Sequence, residues 1–276
     1  MGQIEANFIN VKRIELDSSF LERTVLLDLY QPFDSLNASS LQVLLINDGQ
    51  DLLTMEFSTM LGGMVSGNEI PPVVCIGIHA GKERLQEYGV IGQPDYKGRG
   101  AMAARYRDFL LQELIPSIPE WTGCSLEKIR YSIAGFSLGG LSALDLGWKH
   151  PDLFNLVGVF SGALWWRDKD QHAPDFDESA NLIMHRQVRE GDCQPGLHFF
   201  FQAGTEDETA DRNNNGIIDS IDDTLSLIQL LKAKGYQDHQ IEYLEIEGGK
   251  HDTVTWASSL PSFLQWGWGI EKCPSN

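Results

Sequence analysis

The sequence is poor in positive charge, in cysteine and in long apolar runs, and each shortage removes a class of function. Only 21 lysines and arginines face 39 aspartates and glutamates, a formal net charge of −18. A field of that sign repels phosphate backbones and anionic lipid, so neither nucleic acid nor a membrane surface is an expected partner. It favours solubility and draws cations. The four cysteines, Cys75, Cys124, Cys193 and Cys273, form no CxxC pair and no repeated spacing. That pattern points to free thiols in a reducing compartment. Cys75, inside "VVCIGI", reads as a small buried hydrophobe. No run approaches the ~18 apolar residues of a membrane span. The opening "MGQIEANFINVKRIEL" has no apolar h-region and no cleavage-like site, so a cytoplasmic location is expected, although a trimmed secretory signal is compatible with the same chain. No internal repeat or long linker is visible, and one domain over 1–276 is the simplest organisation.

What is present is an alternation of strand-like and helix-like segments. "FINVKRIEL" and "RTVLLDLYQP" read as an opening antiparallel pair. "LQVLLIND", "PPVVCIGIHA", "KIRYSIAGF", "FNLVGVFSGA", "GLHFFFQAG" and "QIEYLEIEGG" read as six further strands, most of them continuously apolar. Helical spacing separates them, over 52–64, in "AARYRDFLLQELIPSI", in "SLGGLSALDLGWKHP" and in "TLSLIQLLKAKG", with a last helix in "TVTWASSLPSFLQWGW". Apolar strands separated by helices imply an α/β fold: a mostly parallel sheet of eight strands with helices on both faces.

One strand–helix junction carries a chemical signal. "GFSLGG" over 135–140 matches G-x-S-x-G, with a strand running in and a helix running out. Such a turn presents Ser137 at the carboxyl end of the sheet, and Gly135 and Gly139 leave room where a Cβ would collide. The helix opening at Leu138 aims free N–H groups and its positive dipole end at the same point. The alternative is a glycine-lined turn with an incidental serine.

A nucleophilic serine needs a base. Of seven histidines, His251 follows the last strand in the glycine-bounded loop "EGGKHD", which the architecture places opposite the serine. His150, before Pro151, looks structural. His79 ends a strand on the same sheet edge and is a candidate substrate contact, with a structural role as the competing reading. The orienting carboxylate should follow the penultimate strand, where "AGTED" offers Asp207, with Glu206 as the alternative. The oxyanion hole should combine the N–H of Leu138 with one after the third strand, where "NDGQDL" makes Gln50 the expected donor.

The carboxylates beyond Asp207 follow another rule. "DRNNNGIIDSID" fits the calcium-loop spacing D-x-N-x-N-G-x-I-D-x-x-D over 211–222. Asp211, Asn213, Asn215, the Ile217 carbonyl, Asp219 and Asp222 would be the ligands, and Gly216 the sharp turn. Aspartate in place of glutamate at the twelfth position and a single exiting helix make the loop similar to a dockerin or EF-hand variant. The ion is expected to be structural. The competing reading is an Asn/Gly-rich turn with helix-capping aspartates. No organic cofactor is implied.

Taken over nearly its full length, the chain resembles the putative-esterase branch of the α/β-hydrolase superfamily, which includes enterochelin esterases, esterase D and bacterial feruloyl esterases. The resemblance rests on "DGQ" at 48–50, "GFSLGG" at 135–140, "HPDLF" at 150–154, "FSGALWW" at 160–166, "AGTED" at 203–207 and "GGKHD" at 248–252, followed by Trp256. It implies an α/β-hydrolase fold, a serine carboxylesterase acting on a small-molecule ester, and Ser137, Asp207 and His251 as nucleophile, acid and base. The calcium-type loop is not general to that family and reads as an insertion after the penultimate strand. Esters of small acyl, aryl, sugar or siderophore-like groups all fall within the resemblance. Trp165 and Trp166 are candidate contacts for an aryl or sugar group, or packing residues. Arg84, Lys97 and Arg99 are cations for an anionic substrate, unless paired locally, Arg84 with Glu87 or another carboxylate. Two other functions compete: a calcium-dependent interaction module without activity, and the same triad turned on a thioester or peptide. A homo-oligomer is compatible with every reading.

Overall fold

The computed structural model describes residues 8–33 and 40–270. Cys273 lies outside these residues. Eight strands form one sheet in the order β1-β2-β4-β3-β5-β6-β7-β8. The strands are β1 Ile9–Ser18, β2 Arg23–Pro32, β3 Leu41–Asn47, β4 Val73–Ile78, β5 Ile129–Phe136, β6 Phe154–Phe160, β7 His198–Glu206 and β8 Ile241–Lys250. β1 pairs antiparallel with β2, and β2 antiparallel with β4; β3 to β8 are mutually parallel. The expected sheet is therefore present, opening pair included.

The helices are α1 Phe57–Ser66, α2 Arg84–Glu87, α3 Ala103–Phe109, α4 Ile115–Thr122, α5 Leu138–Lys149, α6 Glu178–Asn181, α7 Ile183–Glu190, α8 Asp219–Ala233 and α9 Thr253–Trp268. Strand alternation divides the interior into two cores. Val43 and Leu45 of β3, Val74 and Ile76 of β4, and Phe199 and Phe201 of β7 face one side, against α3, α4, α5, α7 and α8. Leu44 and Ile46, Val73 and Cys75, and Phe200 face the other, against α1 and α9. Both faces are apolar because both are covered, which is why these strands read as continuous apolar runs.

Three segments differ from the sequence expectation for physical reasons. The helix expected over 52–64 begins only at Phe57, after a 3₁₀ turn at Gly49–Asp51. Between α3 and α4 a π turn spans Leu110–Leu114, just before Pro116 in the first turn of α4. A proline there lacks its N–H and crowds the preceding carbonyl, and a widened turn relieves both. The helix expected from Thr224 starts at Asp219, so Asp219 and Asp222 stand in its first turn, beside its positive dipole end.

The sheet order fixes where chemistry can happen. From β3 the chain moves outward to β4, then crosses back to β5 on the other side of β3. The loops leaving β3 and β5 diverge there and open a crevice at their carboxyl ends, the topological switch point of an α/β sheet. Ser137 and the Gly49–Asp51 turn lie at those two strand ends.

Between α7 and α8 a histidine is sealed in the core. His185 is 3% exposed, and its Nε2 donates to the Asp223 carbonyl at 2.8 Å. Its Nδ1 is buried without a partner. Burial lowers its pKa from the ordinary 6.5 to about 4. Because the folded value is the lower one, the unfolded chain binds the extra proton between these limits. The contribution to stability is therefore complete above pH ~6.5 and is lost as pH falls toward 4, a difference of roughly 3 kcal/mol. Urea denaturation of the wild type and His185→Gln should show the variant losing about that much less stability between pH 7 and 4. Equal losses would contradict a buried neutral imidazole.

Candidate active site

The elbow at Ser137 is built by close approach. Ser137 lies at φ 54, ψ −120, a region an L-residue occupies only when its surroundings force it. A Cβ on Gly135 would sit 2.4 Å from the Gly139 carbonyl oxygen, and one on Gly139 would sit 2.5 Å from Asp48 Oδ2. The Ser137 N–H donates to the Phe160 carbonyl at 2.8 Å, and its own carbonyl accepts from the Ala163 N–H at 3.0 Å. Neighbouring backbone thus ties the strained residue down on both sides.

His251, between β8 and α9, places Nε2 2.9 Å from Ser137 Oγ. Burial of the ring holds its protonation below the ordinary histidine range; Asp207 opposes this and Arg84 adds to it. Asp207 has a fully buried carboxylate, and its Oδ1 lies 3.9 Å from His251 Nδ1. That is ion-pair distance rather than a hydrogen bond; a contraction of about 1 Å would make it one. Glu206, the alternative acid, is turned outward beside Lys250 at 3.9 Å.

What holds Asp207 was not visible in the sequence. Its Oδ2 accepts from the Gly204 N–H at 3.1 Å and its Oδ1 from the Ser161 hydroxyl at 3.1 Å. Ser161 Oγ in turn accepts from Trp256 Nε1 at 3.0 Å. Trp256 also meets the His251 ring edge-on at 5.2 Å and stacks on Phe136 at 5.2 Å. One indole therefore braces the acid, through Ser161, and the histidine directly. "FSG" and Trp256 were legible as matching positions, but not as a relay, because 95 residues separate the two hydrogen-bonding partners.

The two expected oxyanion donors stand at the switch point. Leu138 is the first residue of α5, so its N–H has no intrahelical acceptor. Gln50 is the middle residue of the 3₁₀ turn, which packs so tightly on β4 that a Cβ on Gly49 would come within 2.2 Å of the Gly77 carbonyl carbon. The Gln50 side chain accepts from the Ala80 N–H at 3.0 Å and fixes the turn from outside. Asp48, immediately before it, is buried in the left-handed region at φ 61, and Arg84 grips its carboxylate with Nε at 2.6 Å and Nη2 at 2.7 Å. Arg84 therefore pairs with Asp48 rather than Glu87, which Arg23 holds from β2 at 2.8 and 2.7 Å.

For the remaining candidates the structure supplies local partners, in keeping with the structural readings weighed above for His79 and Trp166. His79 is committed to Asp28 at 2.7 Å, and Arg13 grips the same carboxylate at 2.8 and 2.9 Å. Its ring serves the β2–β4 junction, not the serine. Trp166 is fully buried, donates from Nε1 to the Gln93 carbonyl at 3.1 Å and packs against Gly89 and Gly100, so it is a packing residue. Trp165 is half-buried, with the Arg99 and Arg167 guanidinium groups 4.9 and 5.9 Å from its ring centre. Arg99 is also clamped to buried Asp95, while Lys97 sits over Tyr96 at 5.4 Å.

The 211–222 loop is held by side chains that accept from its own backbone. Asp211 accepts from the N–H groups of Asn215 and Gly216 at 3.1 and 2.9 Å, and Asn215 from that of Ile217 at 2.8 Å. Asn214 and Gly216 take positive φ, 58 and 87. Asn213 reaches Asp222 at 2.8 Å. Asp219 departs from the expected ligand set. Arg212, 5% exposed, needs counter-charge and takes Asp219 at 3.2 Å together with Asp223 at 2.6 Å and Glu178 at 2.7 Å. Among the described residues no three His, Cys, Asp or Glu side chains converge as a metal-holding group.

A mostly parallel sheet with a strained serine at its switch point, hydrogen-bonded to a histidine after the last strand, defines an α/β-hydrolase. The model of the family described as "Putative esterase" matches residues 18–266, and the chain belongs to that family, a group of serine hydrolases acting on esters. The uncharacterised protein YbbA of Bacillus subtilis is 23% identical over 245 residues, 87% of this chain and 91% of that protein. The iron(III) enterobactin esterase of Dickeya dadantii is 30% identical over 158 residues, 56% of this chain and 33% of that protein. This chain thus matches only a third of that relative's length. Among solved structures, enterochelin esterase from Shigella flexneri superposes with a TM-score of 0.71 at 21% identity, covering 94% of this chain and 58% of that one. A ferulic acid esterase superposes with a TM-score of 0.67 at 18% identity, covering 94% and 98%.

Ser161→Ala removes the hydroxyl that joins Trp256 to Asp207. Ester turnover should fall about tenfold, in keeping with the loss of a hydrogen bond to a charged group, while the far-UV spectrum is kept. Wild-type turnover in this variant would mean that Asp207 needs no such brace.

Proposed function

We propose that the chain is a serine carboxylesterase working through an acyl-enzyme on Ser137. The observation that carries this reading is the 2.9 Å approach of His251 Nε2 to the hydroxyl of a serine held at φ 54. Ser137 Oγ attacks the ester carbonyl while His251 takes its proton, and Asp207 balances the imidazolium. The N–H groups of Leu138 and Gln50 receive the oxyanion. Collapse of the intermediate expels the alcohol, which leaves with the proton from His251. A water then attacks the acyl-enzyme by the same route and releases the acid. Relatives named for enterobactin and ferulic acid support small aryl or siderophore-like esters as substrates. Trp165, two residues beyond the Ala163 that anchors the elbow, offers a ring for such a group.

Ser137→Ala should abolish hydrolysis of p-nitrophenyl acetate and leave the melting temperature within a few degrees of wild type. Because His251 must be neutral to take the proton, and its protonation is depressed, kcat/KM should rise through an acid limb centred below pH ~6.5. Residual turnover near wild type in the alanine variant, or a limb above that pH, would overturn the assignment. Thioester and peptide substrates in the same panel test whether the triad serves another acyl group.

We also propose that the 211–222 loop holds a calcium ion in a structural role. Asp211, Asn213, Asn215, the Ile217 carbonyl and Asp222 would supply the oxygens, while Asp219 stays with Arg212. The turn geometry of the loop supports this reading. The ion would offset clustered carboxylates a few residues from Asp207. Millimolar calcium should then raise the melting temperature by about 2–4 °C over EDTA. Identical melting and identical activity in the two conditions would remove calcium from the account.

A further inference from the structure

Asp48 is a buried carboxylate in an awkward place. It immediately precedes the turn that carries the Gln50 N–H, and its Oδ2 presses on Gly139, the second residue of α5. It thus borders both the turn and the helix start assigned above to the oxyanion. A bare negative charge there would oppose the charge that develops on an ester carbonyl in attack. The fold places Arg84 against it. Arg84 comes from α2, beyond β4, and grips both Asp48 oxygens side-on, at 2.6 and 2.7 Å. Its guanidinium lies 5.2 Å over the Tyr88 ring, and the Tyr88 hydroxyl accepts the Asp48 N–H at 3.3 Å. Asn47, one residue earlier, is fastened to the same helix turn by Nδ2 to the Gly139 carbonyl at 2.8 Å, and accepts from the Tyr106 hydroxyl at 2.6 Å.

We propose that Arg84 is a positioning residue of the esterase site, which cancels the Asp48 charge beneath the oxyanion hole and, by its two-point grip, fixes the Gln50 turn against the first turn of α5. This rests on the esterase reading above. Lysine cannot reproduce the role, because an ammonium lacks the planar fork that spans both carboxylate oxygens. The charge also reaches the base. The charged groups acting on His251 are Asp207 from the end of β7, Asp252 from the start of α9, and Arg84 from α2. Arg84 is the one cation among these three. Removing it takes away that cation, which favours the imidazolium and moves the acid limb of activity to higher pH.

The test uses four variants of the whole chain on p-nitrophenyl acetate: Arg84→Gln, Arg84→Lys, Asp48→Asn and the Arg84→Gln/Asp48→Asn double variant. Circular dichroism and melting temperature report folding. Arg84→Gln should lower kcat on the order of 10–100-fold with KM within about threefold, and its acid limb should shift upward. Arg84→Lys should lower kcat with the limb unmoved, because charge is kept and geometry lost. The double variant should regain part of the activity lost in Arg84→Gln, since no charge then remains beneath the hole. Wild-type kcat in Arg84→Gln, or a loss that tracks unfolding with the limb unmoved and no regain in the double variant, overturns the proposal. Should Arg84→Gln fail to fold, Arg84→Lys decides alone: wild-type kcat overturns the proposal, and a lowered kcat at an unmoved limb supports it. A wild type whose hydrolysis is absent or independent of Ser137 would instead overturn the esterase reading.

Discussion

Residue 137 is held in a backbone conformation that an L-amino acid adopts only under constraint, and the rest of the site is arranged around that constraint. The strain costs on the order of 1–3 kcal/mol and is sustained by β5, β6 and α5 together. Two glycines admit backbone where side chains would not fit, and hydrogen bonds to Phe160 and Ala163 close the serine in. With the elbow fixed, Ser137 stands immediately before the first N–H of α5. His251 needs only the reach of one loop to meet it.

The site is then supported in tiers that differ in polarity. The serine–histidine contact is direct and short, whereas Asp207 stands 3.9 Å from the ring and is itself secured by backbone, a serine and an indole. On the opposite side the Gln50 turn rests on Asn47, Asp48 and Gly49, residues pinned by α5, Arg84 and β4 respectively. Asp207 and the Gln50 turn therefore sit on separate supports, one on the β7–α9 side and one on the β3–β4 side.

How much of this the sequence disclosed depends on the range of the interaction. Ser137, Asp207 and His251 each sit at a strand end within a short motif, so local pattern could nominate them, and the fold brings the three near one another. The sheet was legible because its inner strands are apolar on both faces. Partners were not. Glu87, three residues from Arg84, looks like its natural mate on a helix, yet the fold brings Arg23 to Glu87 and Asp48 to Arg84. His79 and Trp166 are of types common in binding sites, and only three-dimensional packing commits one to Asp28 and buries the other. Within the acidic stretch, spacing alone could not show that Arg212 would take Asp219.

The indole of Trp256 has a consequence in time. Synthesis runs from residue 1 upward, so the strained serine on β5 emerges long before the imidazole at 251 and the indole at 256 that braces it. On the proposed mechanism, a nascent chain exposed only through Asp207 would carry Ser137 and the carboxylate but lack His251. Competence arrives within a few residues at the end of the sheet, when β8 and the first turn of α9 dock together. Ester turnover on stalled chains of graded length would thus switch on abruptly, and it would report the docking of that last helix more sharply than any measure of bulk compaction.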